Sequence, residues 1–255
     1  MAKKCRNADV LVVGSDQICR KEFVQHFGIG TYFGDFLPDK ASLKLIVYGA
    51  SFGIVEDSLT NRDKEYLAPL YRRFSSVSVR EDSGLQLLND YGWNCPKAEQ
   101  VLDPTFLLSR EEYSQLIDAV DTIPLDGNMA CYILDRTDEK AKVISGLAES
   151  KGMRPYYLPP NGVVSVEQWL RSFRDAEYIV TDSYHGFVFS IIMKKPVYLF
   201  MNRWRGNARF DSLLRLCGIN DIGEYFEGSA SIQDFIGCRK KSVDFLKGLW
   251  GKLIY

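Results

Sequence analysis

The sequence predicts an α/β protein made of two halves, each a parallel sheet covered by helices. Short runs rich in β-branched and aromatic residues end in Gly, Ser, Asp or Pro and alternate with longer stretches of helical period, the pattern of parallel strands joined by crossover helices. At 255 residues the chain is near the upper limit for one core and long enough for two. Its apolar fraction of 46% and charged fraction of 25% match an ordinary folded domain, which excludes disorder, collagen-like repeats and coiled coil.

The first half takes its strands from ADVLVV (Ala8 to Val13), LKLIVY (Leu43 to Tyr48), SVSV (Ser76 to Val79) and AEQVL (Ala98 to Leu102). Helices are expected over Arg62 to Phe74, where Tyr66, Leu67, Leu70 and Phe74 share a face, and over Asp82 to Tyr91. In the second half the strands are MACYIL (Met129 to Leu134), RPYYL (Arg154 to Leu158), EYIVT (Glu177 to Thr181) and VYLFM (Val197 to Met201). The helical stretches Glu139 to Ser150, Val166 to Phe173 and Tyr184 to Met193 separate them. Ser109 and Glu112 form a capping-box pattern after Asp103-Pro104-Thr105, so the domains are expected at residues 1–108 and 109–255. The apolar positions of the tail, among them Phe235, Val243, Phe245 and Leu246, fit an amphipathic helix that closes the second half.

With 32 Lys+Arg against 33 Asp+Glu, the chain has no global field to recruit nucleic acid or an acidic membrane. Any anion must be caught locally. The six cysteines contain no C-x-x-C pair and are spread over the whole chain, and they read as cytosolic thiols. Only two histidines exist, His26 and His185, without a second His or Cys at ligand spacing, so no metal site is expected. No apolar run approaches the roughly 20 residues of a membrane-spanning helix, and Val10 to Val13 is too short for a signal-peptide core. The expectation is a cytoplasmic protein with no transmembrane segment.

Ligands of open parallel sheets bind beyond the carboxyl ends of the strands, where loops and helix N-termini converge. In Asp182-Ser183-Tyr184-His185-Gly186, Asp182 or Ser183 can cap a helix whose first turn carries His185 and N–H donors for an anion. That places a proton donor beside an anion hole; the competing reading is a capped helix whose His only hydrogen-bonds locally. A helix N-terminus disfavours the imidazolium, so a bound anion or nearby carboxylate must offset the dipole for His185 to act as an acid. Arg80, directly after SVSV, is a cation able to pair bidentately with a carboxylate or phosphate, or else with its neighbours Glu81 and Asp82. Arg203, Arg205 and Arg209 form a basic loop in which Gly206 permits a tight turn that aims cations inward.

Read in order, ADVLVVGSDQI, YGASFG, SVREDSG, VLDPTFLL, SVEQWL, AEYIVTDSYHGFVFSIIMKKP and NRWRGNARFDSLL resemble the polysaccharide pyruvyl transferase family over roughly residues 8 to 216. TDSYHG and VGSDQ are the most specific parts. The resemblance implies two Rossmann-like lobes similar to GT-B glycosyltransferases. It also implies transfer of a pyruvyl group from phosphoenolpyruvate onto a sugar hydroxyl pair as a ketal, for surface polysaccharide, without a cofactor. By motif position, His185 is implied as general acid or acceptor-activating residue, Arg80 as a donor-binding cation and Arg205 as a second anion clamp. Gly14, Ser15 and Asp16 are implied as acceptor contacts, and Asp182, Ser183, Arg203 and Arg209 complete the substrate-binding set. Family members usually open with a further strand, a Gly/Asn-rich loop and helices before the equivalent of VLVVGSDQ, so a truncated first lobe is expected. Its exposed sheet edge would invite a homodimer. Two other readings share these residues: a GT-B glycosyltransferase that uses a nucleotide-sugar, and a partner-dependent binding module.

Overall fold

The computed structural model describes residues 8–38, 43–54, 56–94, 96–159, 164–201, 206–220 and 225–251. In chain order the elements are β1 (Val10–Asp16), α1 (Lys21–Val24), β2 (Lys44–Ala50), α2 (Asn61–Tyr71), β3 (Phe74–Val79), α3 (Asp82–Asp90), β4 (Glu99–Gln100), α4 (Arg110–Asp118), β5 (Met129–Tyr132) and α5 (Asp138–Lys151). These are followed by β6 (Pro155–Tyr157), α6 (Val166–Asp175), β7 (Tyr178–Thr181), α7 (Tyr184–Ile192), β8 (Val197–Phe200), α8 (Asn207–Leu216), β9 (Tyr225–Gly228) and α9 (Phe235–Gly251). The chain divides into two compact units, Met1–Leu107 with Gly206–Ser212 and Ile236–Tyr255, and Leu108–Arg205 with Leu213–Phe235.

The first unit carries a four-stranded sheet in the order β1-β2-β3-β4, parallel throughout. Leu45, Ile46, Val47, Tyr48 and Ala50 of β2 are all buried, which explains the unbroken apolar run LIVY at its centre. Leu67 and Tyr71 of α2 and Leu87 and Leu88 of α3 pack with Val47, Phe74, Val77 and Val79 into one core. The start of α2 is set by a capping box in which Thr60 and Asp63 satisfy each other's backbone N–H. Among the described residues β1 is the outer strand, and its Val12 is 58% exposed.

Three expectations change here. Of the AEQVL run only Glu99–Gln100 is strand; Val101 still donates its N–H to Val79 O (2.9 Å), and Leu102 turns away to give its N–H to Ser242 Oγ (2.9 Å). Helix α9, expected to close the second half, falls with the first unit instead. Arg239 donates to Leu107 O (2.6 Å) and Phe245 lies 6.1 Å from the Tyr48 ring, so the apolar stripe that predicts a helix here covers the first sheet. The loop expected around Arg209 is helical from Asn207, and Gly206–Ser212 also joins the first unit.

The second unit has the strand order β6-β5-β7-β8-β9. The first four are parallel, and β9 runs antiparallel to β8 with Val197 opposite Gly228. The sequence did not signal β9, a four-residue segment, YFEG, without apolar alternation. Helix α7 is apolar on nearly every side, and Phe187, Val188, Phe189, Ile191 and Ile192 are all buried, as expected of a central helix. Both sheets are thus parallel or mostly so, with α/β connections. Among the described residues no helix is long and apolar enough to cross a membrane.

Candidate active site

In the first unit the site is built on the carboxyl ends of β1, β2 and β3. Gly14 has φ 149°, and a Cβ there would fall 2.1 Å from Tyr48 O, so only glycine lets β1 lie this close to β2. Ser15 donates its hydroxyl to Gly49 O (3.0 Å). Asp16 then adopts φ 74°, an uncommon left-handed conformation for a residue with a Cβ, and its side chain is 63% exposed. Such local strain persists when surrounding contacts over-determine it. Here the contacts are two guanidinium groups: Arg80 Nη2 lies 3.0 Å and Arg209 Nη1 3.5 Å from Asp16 Oδ1.

Arg80 is only 4% exposed and is held from several sides. Besides Asp16 it donates to the Asp103 carboxylate and to Ser15 Oγ (3.3 Å), and its Nε lies 3.9 Å from Glu81 Oε2. Asp103 in turn accepts from Thr105 N (3.0 Å) and Thr105 Oγ1 (2.7 Å). Glu81 is fully buried, and its Oε1 takes the N–H groups of Phe52 (2.6 Å) and Gly53 (3.0 Å). Burial pushes the Glu81 carboxyl above the usual carboxylate range, against the opposing pull of Arg80 and the two backbone donors. The Arg80 guanidinium is thus turned inward onto Asp103, Asp16 and Ser15, and it orients Asp16.

Arg209 reaches this cluster from the first turn of α8. Gly206, at φ 97°, precedes that helix, and a Cβ there would sit 2.0 Å from Gly53 O. The two backbones therefore touch, which seats α8 on the loop that Glu81 holds. Ser15, Asp16, Arg80 and Arg209 are brought together in this unit. Arg203 and Arg205 lie outside the described residues.

In the second unit His185 is the second residue of α7 and is half-buried, its ring edge-on to Tyr184 at 5.4 Å. The turn that holds it is fixed through Thr181, Ser183 and Gly186. Thr181 donates its hydroxyl to Tyr132 O (2.7 Å) and accepts from Ser183 N (3.0 Å). Ser183 caps the helix by accepting from Gly186 N (3.3 Å). Gly186 presses against the strand end, where a Cβ would fall 2.2 Å from Thr181 Oγ1. The imidazole thus stands at the N-terminus of α7, the end where the helix dipole favours negative charge.

Asp182 departs from expectation. It is fully buried, its Oδ1 accepts from Leu134 N (2.7 Å), and its Oδ2 from Asp135 N (3.1 Å) and Lys140 Nζ (2.6 Å). Donors of its own unit occupy both oxygens, so Asp182 fastens the end of β5 to the His185 turn and leaves the capping to Ser183. The sequence reading missed Lys140. Its one signal was a Lys in the first turn of α5, where the helix dipole disfavours a cation.

Gly186→Ala tests how tightly the turn is packed. In an open helix the change gains up to about 1 kcal/mol. Against Thr181 the added methyl must displace the strand end, and a net loss of about 1–3 kcal/mol is expected from chemical denaturation.

The described cysteines Cys19, Cys131, Cys217 and Cys238 are free thiols. Among the described residues no group of three His, Cys, Asp or Glu side chains is placed to hold a metal ion. A family model for polysaccharide pyruvyl transferase matches residues 1–203. The match spans the Asp16–Arg80 cluster and the His185 turn. A comparison with curated proteins finds no match. With four-fifths of its length matched, Asp16, Arg80 and the His185 turn included, the chain belongs to the polysaccharide pyruvyl transferase family.

Proposed function

We propose that this transferase-family chain moves the pyruvyl group of phosphoenolpyruvate onto two hydroxyls of a sugar, forming a ketal and releasing phosphate, in the cytoplasmic stage of surface-polysaccharide synthesis. The observation that carries this reading is the His185 turn, an imidazole held at the N-terminus of a buried helix. Phosphoenolpyruvate needs both features, a cradle for an anionic group and an acid for its methylene carbon.

The imidazolium of His185 donates its proton to that carbon, and the adjacent carbon becomes an oxocarbenium-like centre. One sugar hydroxyl adds there and returns its proton to His185. The bond to the phosphate oxygen then breaks, the second hydroxyl closes the ketal, and its proton leaves with the phosphate. The N–H groups of the α7 turn bind the anionic end of the donor. By motif position alone, the family resemblance assigns Arg203, Arg205 and Arg209 to anion binding and Gly14, Ser15 and Asp16 to acceptor contacts. Asp182, Ser183 and Arg80 serve by positioning.

Isothermal titration of the purified chain with phosphoenolpyruvate, beside a panel of nucleotide-sugars, tests the reading. Phosphoenolpyruvate is expected to bind, and Arg209→Ala to weaken it about tenfold or more, the cost of one charge-assisted contact. Binding of a nucleotide-sugar without phosphoenolpyruvate would instead establish a glycosyltransferase.

A further inference from the structure

Lys140 occupies an unfavourable place for a cation. It sits in the first turn of the fourteen-residue helix α5, whose dipole repels positive charge, three residues after the cap Thr137. Its ammonium is 2.6 Å from Asp182 Oδ2 and donates to Asp135 O (2.8 Å), and it lies 5.7 Å from the centre of the Phe200 ring. One side chain thus touches the carboxyl ends of β5, β7 and β8. Asp182 is the reason the position is tolerated. A carboxylate with no exposure to solvent is costly unless paired, and Lys140 is the cation that pairs it.

We propose that Lys140 is a positioning residue for His185: by neutralising Asp182 it keeps that carboxylate anchored on the Leu134 and Asp135 N–H groups and so holds the turn in which the imidazole acts. The inference rests on the role of His185 proposed above. Among the described residues, the titratable groups that bear on Asp182 come from three segments. Lys140 comes from α5, Asp135 from the loop after β5, and His185 from its own turn three residues on. Arg136 in the same loop points elsewhere, donating to Leu158 O (3.3 Å). Removing the ammonium leaves Asp182 as an unbalanced negative charge in the same turn as His185, or protonates it and loosens its hold on the two backbone donors.

The test uses Lys140→Gln, which keeps a hydrogen-bond donor without the charge, Lys140→Met, which keeps only the stem, and Lys140→Arg, which keeps the charge. The chain has two histidines, so the imidazole of His185 can be followed by proton NMR across pH, with His26→Gln giving the assignment. The midpoint of His185 is expected to rise by about half a pH unit or more in Lys140→Gln, as an unpaired carboxylate favours the imidazolium, and to return toward the parent value in Lys140→Arg. The basic limb of kcat/KM should move up with it, with kcat lowered about tenfold and KM for phosphoenolpyruvate within about twofold of the parent.

A His185 titration that superimposes on the parent's in Lys140→Gln, or shifts equally in Lys140→Arg, overturns the proposal. If Lys140→Met does not fold, Lys140→Gln decides. The NMR arm needs no turnover, which separates the two readings. A shifted titration in a parent that transfers no pyruvyl group would sink the proposed reaction and leave the role of Lys140 standing; an unmoved titration in an active parent would do the reverse.

Discussion

His185→Gln should lower pyruvyl transfer about 10²–10⁴-fold, the usual contribution of a positioned general acid. Gln has similar reach and can donate a hydrogen bond, but it has no proton to give to the methylene carbon of phosphoenolpyruvate. His185 is half-buried and the turn is held by Thr181, Asp182, Ser183 and Gly186, so the fold itself should barely respond. A stability change under about 1 kcal/mol is expected for such a site. Phosphate release with an acceptor glycan, set beside a denaturant titration of the same sample, separates chemistry from folding. Turnover within tenfold of the parent would show that the proton comes from elsewhere.

Arg80→Met should have the largest effect on stability. The guanidinium is the shared partner of Asp16 and Asp103, lies 3.9 Å from Glu81, and is 4% exposed. Its removal leaves buried carboxylates uncompensated, and breaking a buried pair in this way costs about 3–5 kcal/mol. The deficit should also depend on pH. Glu81 already sits above its ordinary value of 4.5 because of burial, and loss of the cation raises it further. A carboxyl whose pKa is higher in the folded than in the unfolded state favours the fold at low pH, and that contribution is lost as pH rises through the folded value. Denaturant titrations at pH 5.5 and pH 8, test conditions on either side of about neutrality, should therefore show the larger deficit at the higher pH. A deficit below about 1 kcal/mol, or one that shrinks as pH rises, would show that Arg80 is not the counter-charge of this cluster.

The place of a residue on the strand-to-helix alternation was legible without coordinates. Among the described residues, eight of the nine strands lie at the runs that marked them, because a buried parallel strand needs a β-branched or aromatic stretch bounded by turn residues. A cap at Asp182 or Ser183 with His185 in the first turn of the helix was readable too, since capping is decided by residues two or three apart, and the structure gives the cap to Ser183. The Thr60–Asp63 and Ser109–Glu112 boxes obey the same local rule.

Partnership was not legible. Arg80 stood at a strand end as a free-looking cation, and only the packing of β1 beside β2 and β3 puts Asp16, 64 residues away, against its guanidinium. Arg209 meets the same Asp16 from 193 residues away because α8 begins at a glycine that touches Gly53. Lys140 and Asp182 are 42 residues apart, and neither signals the other in one dimension. Strand periodicity, helix caps and the His185 turn are short-range consequences of side-chain shape and backbone hydrogen bonding, and the sequence by itself determined them. Which carboxylate each buried cation neutralises, and hence which charges remain to meet a ligand, was decided by the order in which the strands lie side by side, because a buried charge pairs with whatever the tertiary fold brings within reach.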